Sequence, residues 1–337
     1  MKILVIRIGR AGDMVMITPA LTALIEKYPQ AEITLLTSPD GKRVLNGFHP
    51  QIKKVWLLDR KKLFPFIQRS QLKKLIQQSR FEHIFCFETK TSFEKLFQTT
   101  NAQQHTLQNI DSAETNFAER CLHLVNPSLT KTSNPVYLPV TAQAEQQSNE
   151  LLQTIGITKE TFVIGLHPSF SGLAKGIGRK GKMLIHKSWP EKNWGKLSEY
   201  FSEYAKQNNI DIKVIIDLLP DEEALGQRIV AASNNSVNLL IPKPNFERYK
   251  ATLSRMNILV APDTGPAHIA AAVGTNLLEL FSGHNPKDCA PYAPNEKLTI
   301  LCAENYPRSE SGLKAISAEE VFQASKKFLP ADDDLSA

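Results

Sequence analysis

The chain has 337 residues and a formal net charge of +6, with 40 Lys and Arg against 34 Asp and Glu. This length is typical of two domains, each large enough to bury its own core. The four cysteines are scattered without a C-x-x-C pair, which argues for a reducing compartment and against a structural zinc site. No apolar run approaches the ~20 residues of a membrane span.

The first part of the chain alternates apolar runs with helix-forming segments. Residues 1–8 are predicted to form a buried strand rather than a signal peptide, because Arg7 interrupts the apolar stretch and no small-residue cleavage site follows. The other predicted elements are a helix at 14–28, strands at 33–37, 54–58 and 81–87, a polar loop at 99–116 and an extended linker at 127–141.

The same alternation resumes after the linker. A helix is predicted at 142–155. After it, strands are predicted at 162–167, 212–218, 258–262 and 276–281. The helices predicted between and after these strands are 193–207, 221–232, 266–273 and 317–328. Strands that alternate with helices favour a parallel sheet covered on both faces. Two such halves place a ligand cleft between the carboxyl ends of their sheets.

We therefore predict an α/β protein of two Rossmann-like, doubly wound domains that face a central cleft. Residues 1–140 form the first domain and 141–316 the second. The helix at 317–330 is expected to pack back on the first domain, and 331–337 to form a disordered tail.

The positive charge is concentrated near the N-terminus. Residues 51–80 hold nine basic side chains and one acidic side chain, Asp59. Such a run is typical either of a solvated surface or of a face that meets nucleic acid, anionic lipid or an acidic substrate. The candidate docking residues are Lys53, Lys54, Arg60, Lys61, Lys62, Lys73 and Lys74.

A glycine-containing loop, Gly9-Arg-Ala-Gly12-Asp13, follows the first predicted strand. Glycines let the backbone turn tightly and approach a ligand. Asp13 is a general base, a helix cap or a ribose ligand at this position. Arg7 and Arg10 would lower its pKa if they lie close.

The segment Asp263-Thr-Gly-Pro-Ala-His268 joins an apolar run to an alanine-rich helix. A helix N-terminus presents unpaired N–H groups and a partial positive charge, so it can hold a phosphate or pyrophosphate. Pro266 suits a first helical position. The alternative is a capped helix without a ligand, in which Asp263 or Thr264 is the cap.

The segment 171–186 is rich in glycine and lysine. Gly176, Gly178 and Gly181 match G-x-G-x-x-G, but the preceding strand ends near residue 166 and no helix begins at the glycines. We therefore predict neither a dinucleotide site nor a P-loop there. The segment is interpreted as a basic loop near phosphates or as a surface insertion.

Two further residues are candidates for contact with a ligand. Lys187 precedes Trp189-Pro190 and the helix after it, and it either reaches an anion or is solvated. His167 closes the first strand of the second half and either lines the cleft or ends the strand.

Three segments together resemble glycosyltransferase family 9, the ADP-heptose:lipopolysaccharide heptosyltransferases. They are Gly12-Asp13-x₅-Pro19-Ala-Leu21, Lys187-x-Trp189-Pro190 and Asp263-Thr-Gly-Pro-x-His268-x-Ala-Ala271, and their order and spacing fit the family along almost the whole chain. The resemblance implies a GT-B fold, with the acceptor bound mainly by the first domain and an ADP-sugar by the second. It also implies inverting transfer without a metal or another cofactor.

The resemblance implies roles for matching residues. The aspartate that matches Asp13 is the general base. The diphosphate is held by Lys187 and the turn of Asp263, Thr264, Gly265 and His268.

The chain departs from the family pattern in the donor domain. Many members carry a glycine and then a glutamate after the second strand, whereas residues 215–223 lack that glycine. Glu222 or Glu223 is expected to take the ribose.

The sequence thus predicts a glycosyltransferase, most readily one that moves heptose from ADP-heptose to a lipopolysaccharide or lipooligosaccharide core. The expected partners are the nucleotide sugar and an anionic glycolipid. The protein is expected to be cytoplasmic and to bind peripherally to the inner face of the inner membrane. No nucleic-acid partner is expected, and the oligomeric state is left open. The alternatives are a transferase with another donor, an NAD(P)-dependent oxidoreductase, a nucleic-acid-binding protein that uses residues 51–80, and a non-catalytic relative that keeps the donor pocket.

Overall fold

The computed structural model describes residues 1–59, 65–107, 115–170, 186–306 and 311–330. By its contacts the chain divides into two compact units: Met1–Pro139 with Lys287–Ala293, and Val140–Pro286 with Pro294–Ala337. The segment Lys287–Ala293 joins the first unit because Asn116 Nδ2 donates to the Ala290 carbonyl at 2.9 Å and an Arg120 nitrogen lies 2.5 Å from an Asp288 oxygen.

The first unit contains a parallel sheet of five strands in the order β3-β2-β1-β4-β5. The strands are β1 Lys2–Arg7, β2 Glu32–Thr37, β3 Ile52–Leu57, β4 His83–Cys86 and β5 Gln103–Thr106. The helices are α1 Ala11–Val15, α2 Thr18–Lys27, α3 Pro39–Val44, α4 Pro65–Ser79 and α5 Phe117–Val125.

Two predictions for this unit are wrong in detail. The single helix predicted at 14–28 is split into α1 and α2, and Pro19 lies in the first turn of α2, where its missing N–H costs nothing. The loop predicted at 99–116 contains the strand β5. This strand is polar because it lies at the sheet edge and pairs only with β4, and the His105 ring stacks on Phe85 with ring centroids 4.1 Å apart.

The second unit contains a parallel sheet of six strands in the order β11-β10-β9-β6-β7-β8. The strands are β6 Phe162–Leu166, β7 Ile212–Asp217, β8 Asn238–Leu240, β9 Ile258–Pro262, β10 Asn276–Phe281 and β11 Leu298–Cys302. The helices are α6 Ala142–Gln153, α7 Glu191–Gln207, α8 Glu223–Ala231, α9 Phe246–Arg255, α10 Gly265–Ala272 and α12 Ala318–Ser325, and the short α11 Pro286–Cys289 lies where the chain passes between units. Of these elements, β8, α9, α11 and β11 were not predicted.

The helix α12 begins at the predicted capping box. The Ser317 hydroxyl accepts from the Glu320 N–H at 3.2 Å, and the Glu320 carboxylate accepts from the Ser317 N–H at 2.7 Å. For this helix, the expected packing on the first domain stays a prediction. The helix belongs to the second unit, because the Phe322 ring packs against the aromatic rings of α7 with centroids 5.5 Å from Tyr200 and 5.6 Å from Phe201.

In each sheet the strand order reverses at one point, between β1 and β4 in the first and between β6 and β9 in the second. In doubly wound sheets the carboxyl ends of the strands at such a reversal form a crevice that binds ligands. Asp13 lies in α1, the helix that follows β1, and Asp263 lies in the turn after β9. Among the described residues, no helix has both the length and the apolar character needed to cross a membrane.

Candidate active site

Asp13 lies in α1, directly after the first strand, and both of its carboxylate oxygens accept a hydrogen bond. Arg7 Nη2 donates to Oδ1 at 2.6 Å, and the Arg10 backbone N–H donates to Oδ2 at 2.9 Å. The side chain nevertheless keeps 44% of its surface exposed. A carboxylate has about four lone-pair sites, so Asp13 is held in place and can still accept a proton from a ligand. It also caps the start of α1, as one sequence alternative proposed.

Arg7 is itself fixed on several sides. Its Nη1 donates to the Phe87 carbonyl at 3.1 Å and lies 3.7 Å from Glu88 Oε1, and its guanidinium carbon lies 4.3 Å from the centroid of the Phe117 ring. Glu88 is buried and accepts from the Ile8 N–H at 2.6 Å. Sequence reasoning missed Glu88. The available signal was an acidic residue directly after an apolar strand.

Gly9 allows the loop after β1 to approach Asp13. A Cβ atom at Gly9 would lie 2.3 Å from Asp13 Cβ, closer than atoms can pack. The Gly9 carbonyl accepts from Ser38 Oγ at 2.6 Å, which ties the loop to the start of α3. Gly12 is buried within α1. The two glycines predicted to shape this loop thus both lie beside the candidate base.

In the second unit, Lys187 is paired with Asp263. Lys187 Nζ lies 2.5 Å from Asp263 Oδ2 and 3.3 Å from the Asp263 carbonyl oxygen. Both side chains are largely buried. The Asp263 N–H donates to the Leu280 carbonyl of β10 at 3.1 Å, so the carboxylate is anchored at the end of the sheet. The structure therefore joins two residues that are 76 positions apart in the sequence.

The turn after Asp263 leads into α10. Thr264 has the extended backbone of an N-cap residue, but its hydroxyl makes no capping hydrogen bond. The alternative of a helix capped by this side chain is therefore wrong. Thr264 Oγ1 is buried and has no hydrogen-bond partner among the residues that the structure describes. Buried polar atoms are normally satisfied, so this hydroxyl keeps an unused hydrogen-bonding capacity at the N-terminus of α10.

The remaining predicted members of the turn are the first residues of α10. Gly265 begins the helix, and His268 lies one turn further on and is 7% exposed. Pro266 occupies the first turn of the helix, where the backbone needs no donor from it. The N-terminus of α10 follows the Asp263 turn directly, so it lies at the same end of the sheet as the Lys187–Asp263 pair.

Glu279 is a further ionisable residue near this turn that sequence reasoning missed. It lies within β10 and is completely buried. Burial raises the pKa of its carboxyl well above the usual value, the Asp263 charge raises it further, and Lys187 opposes both effects. The available signal was a glutamate inside the otherwise apolar stretch of β10.

The candidate ribose ligands differ from each other. Glu222 accepts from Ser169 Oγ, which follows β6, and from the Leu219 N–H at 3.2 Å. Glu222 is therefore held beside the carboxyl end of β6. Glu223 is exposed at the first residue of α8, and its side chain makes no hydrogen bond to the residues that the structure describes. Of the two, only Glu222 is fixed near the loops that follow the central strands.

His167 is buried directly after β6, and its N–H donates to the Val260 carbonyl at 2.9 Å. Burial lowers the pKa of its imidazole to about 4. The ring is therefore neutral at pH 7 and supplies no positive charge to a diphosphate. Lys187, which is paired with Asp263, supplies a positive charge at this end of the sheet.

The predicted basic residues of the first unit are partly described. Lys53 and Lys54 are exposed on β3, which is an edge strand, and Lys74 is exposed and Lys73 half-buried on α4. Arg60, Lys61 and Lys62 lie outside the described residues, as does almost all of 171–186. Within the described ranges, no group of three or more His, Cys, Asp or Glu side chains could hold a metal ion.

Comparison with known proteins agrees with this geometry. The sequence profile of glycosyltransferase family 9 (heptosyltransferase) matches residues 175–315, which include the Lys187–Asp263 pair, the α10 turn and Glu279. Lipopolysaccharide heptosyltransferase 3 of Escherichia coli K12 is 22% identical over 355 aligned residues, across 95% of this chain and 96% of that protein. The second half of the chain is thus similar to glycosyltransferase family 9. These similarities support a glycosyltransferase enzyme rather than an oxidoreductase or a nucleic-acid-binding protein.

One further protein is similar to this chain in sequence, and one solved structure is similar to it in fold. The lipopolysaccharide core heptosyltransferase OpsX of Haemophilus influenzae is 30% identical over 118 residues, which cover 34% of this chain and 33% of that protein. The solved structure of the E. coli ADP-heptose lipopolysaccharide heptosyltransferase II covers 100% of both chains with a TM-score of 0.72 and 17% identity. The chain therefore has the two-domain α/β architecture of GT-B proteins.

Proposed function

We propose that this protein is an inverting, metal-independent transferase that moves heptose from ADP-heptose to a lipopolysaccharide or lipooligosaccharide core acceptor. The observation that carries the proposal is the arrangement after β9, where Lys187, the buried Thr264 hydroxyl and the start of α10 lie at the reversal of the strand order. A fixed cation, a hydroxyl donor and a helix N-terminus are groups that bind a nucleotide diphosphate. The names of the relatives favour ADP-heptose as the donor and a lipopolysaccharide as the acceptor.

Asp13 is the general base in this proposal. It removes the proton from an acceptor hydroxyl while that oxygen forms a bond to the anomeric carbon of the donor sugar. The hydrogen bonds from Arg7 and the Arg10 N–H support this role, because they fix the carboxylate without covering it. General-base catalysis of this kind contributes about 10²–10⁴-fold to the rate.

The bond between the anomeric carbon and the donor phosphate oxygen breaks in the same step, and its electron pair leaves with ADP. Negative charge develops on the departing diphosphate. Lys187 and the N–H groups at the start of α10 are fixed positive groups that stabilise this charge. Because the protein supplies these groups itself, the proposed reaction needs no bound metal ion.

Two further proposed contacts with the donor nucleotide are inferred from where Glu222 and His167 lie, near the carboxyl end of β6. Glu222, held by Ser169 beside the end of β6, is the proposed ligand of the donor ribose. A carboxylate accepts hydrogen bonds from ribose hydroxyls, as in dinucleotide-binding folds. His167 is neutral and buried in the adjacent loop, so it offers a hydrogen bond rather than a charge.

We also propose that the protein works at the inner face of the inner membrane, as a cytoplasmic protein bound peripherally. The supporting feature is the basic surface, which we define as Lys53, Lys54, Val55 and Leu57 of β3 with Phe66, Ile67, Lys73, Lys74 and Leu75 of α4. Its apolar members include Phe66, which is 66% exposed. Lysines around exposed apolar side chains are typical of surfaces that bind anionic lipid and its glycolipids.

A panel of nucleotides tests the donor site. ADP, UDP, GDP and CDP are compared for their effect on thermal stability, since a ligand at about 100 times its Kd stabilises the folded state by about 2.7 kcal/mol. The proposal expects the largest shift from ADP. Stabilisation by another diphosphate alone would change the donor, and no shift from any of the four would contradict the diphosphate site.

A further inference from the structure

Glu279 occupies a position in β10 where an apolar residue is expected. Its neighbours in the strand, Leu278 and Leu280, belong to the buried core on one face of the sheet. Glu279 lies on the opposite face with Leu277 and Phe281, because successive side chains of a strand alternate between faces. All three side chains of that face are completely buried. The strand β10 contacts α10, the helix whose first turn is the proposed diphosphate site.

Neither carboxyl oxygen of Glu279 has a hydrogen-bond partner among the described residues. A buried carboxylate without partners is strongly disfavoured, and the group takes up a proton instead. The raised pKa of Glu279 is consistent with this. The side chain is then a neutral carboxylic acid, which has one O–H donor to offer.

The strand register places this donor near Asp263. Glu279 is paired with Ala261 of β9, and Asp263 follows two residues later with its N–H bonded to the Leu280 carbonyl. Residues two apart in a strand point to the same face, and the diagonal neighbour on the adjacent strand is roughly 8 Å away between Cα atoms. A glutamate and an aspartate side chain together span that distance.

Lys187 has two possible partners, the Asp263 carboxylate and the donor diphosphate, for one ammonium group. In this structure it neutralises the Asp263 carboxylate, with Nζ 2.5 Å from Oδ2. In the proposed function the same ammonium group binds the donor diphosphate. When Lys187 turns towards the diphosphate, the largely buried Asp263 carboxylate loses its main partner, which is costly for a buried charge.

We propose that Glu279 is a positioning residue of the donor site, a neutral carboxylic acid whose O–H donates to Asp263 when a diphosphate engages Lys187. This inference rests on the proposed function, since it requires a diphosphate at α10. It assigns to Glu279 a hydrogen bond that holds the Asp263 turn in place without adding negative charge. An ionised glutamate at the same position would repel the diphosphate.

The competing explanation is that Glu279 only fills space. Replacement of an unsatisfied buried polar group by an apolar one of similar size is neutral or stabilising. Under that explanation Glu279→Leu binds nucleotide like the wild type. Under the proposal, Glu279→Leu is at least as stable as the wild type and yet binds nucleotide less tightly, whereas Glu279→Gln retains a donor and retains binding.

The test is calorimetric titration of ADP into the wild-type protein, Glu279→Gln and Glu279→Leu, with the exposed Glu296→Leu as the matched control. We expect Glu279→Gln and Glu296→Leu to bind ADP within about threefold of wild type and Glu279→Leu to bind at least about tenfold more weakly, the size of one hydrogen bond to a charged group. Equal affinity of Glu279→Gln and Glu279→Leu, whether retained or lost, overturns the inference. Tighter binding by Glu279→Gln also overturns it, because it would show that Glu279 is ionised.

Infrared spectroscopy of the wild-type protein keeps the inference testable if either variant fails to fold. The carbonyl band of a protonated carboxylic acid is expected to shift when ADP is added, because its O–H gains an acceptor. A spectrum in which no such band responds to ADP overturns the inference. If the wild-type protein does not bind ADP at all, the proposed diphosphate site fails and this inference fails with it.

Discussion

The Arg7 guanidinium and the Asp13 carboxylate are joined by a hydrogen bond of 2.6 Å across the loop that follows β1. Arg7 is held by Phe87, Glu88 and Phe117, so it fixes the direction in which Asp13 points. The pair is a base and its positioning residue in the proposed reaction.

Replacing Asp13 tests the base directly. We expect Asp13→Asn to bind ADP as the wild type does and to lose about 10²–10⁴-fold in turnover, because the amide cannot take the acceptor proton. Steady-state assays of glycolipid product and ADP titration measure the two quantities. The control is Asp40→Asn, an ion-paired surface aspartate of α3. Turnover of Asp13→Asn near that of the control would contradict the assignment.

Lys187 is expected to control affinity for the diphosphate. Lys187→Ala should weaken ADP binding by about 10- to 100-fold, which corresponds to the loss of a charged hydrogen bond of about 1.5–3 kcal/mol. A bulky substitution at Gly265 should weaken it as well, by blocking the start of α10. Calorimetry compares both with Lys192→Ala, an exposed lysine of α7. If both variants match this control, the diphosphate lies elsewhere.

The proposed mechanism has no step that requires a divalent cation. We expect activity to be unchanged after dialysis against EDTA and after addition of Mg²⁺, because Lys187 and α10 supply the positive charge for the leaving diphosphate. The assay is sugar transfer at saturating donor before and after chelation. A loss of activity that added Mg²⁺ restores would refute the metal-independent proposal.

The basic surface is expected to bind anionic membranes. Each Lys near an anionic surface contributes about 1 kcal/mol, so four lysines hold the protein reversibly at low salt. Charge reversal at Lys53, Lys54, Lys73 and Lys74 should abolish sedimentation with anionic liposomes, and wild-type binding should weaken at high salt. The matched control reverses Lys192 and Lys206, two exposed lysines of α7. Equal sedimentation of both variants and the wild type would show that this surface does not dock.

The lowered pKa of His167 predicts that the free energy of unfolding falls in acid. Its folded pKa of about 4 lies below the ordinary histidine value, so the unfolded chain binds the proton more readily. The contribution of the neutral ring is complete above about pH 6.5 and is lost as the pH falls towards 4, by about 3 kcal/mol. Denaturant unfolding of wild type and His167→Gln at several pH values measures the difference. An equally steep acid loss in His167→Gln, with the exposed His284→Gln as control, would show that another group is responsible.

The sequence determined the α/β class and most of the sheet-forming strands, because buried parallel strands are apolar runs that local periodicity reveals. It also located the Asp13 loop and the turn at Asp263, since glycine, proline and polar residues after an apolar run identify the ends of strands. The polar edge strand β5 and the three-residue β8 were missed, because their pairing with a neighbouring strand, rather than their composition, makes them strands.

Only the tertiary structure decided which charged groups meet. Arg7 and Glu88 are 81 positions apart, as β1 and β4 are neighbours in the sheet although two strands intervene in the chain. Lys187 and Asp263 are also far apart in the chain, and their side chains form an ion pair at the end of β9. The unpaired, buried carboxyl of Glu279 is likewise invisible to local pattern, because burial and missing partners are properties of the packed sheet and the helix that covers it.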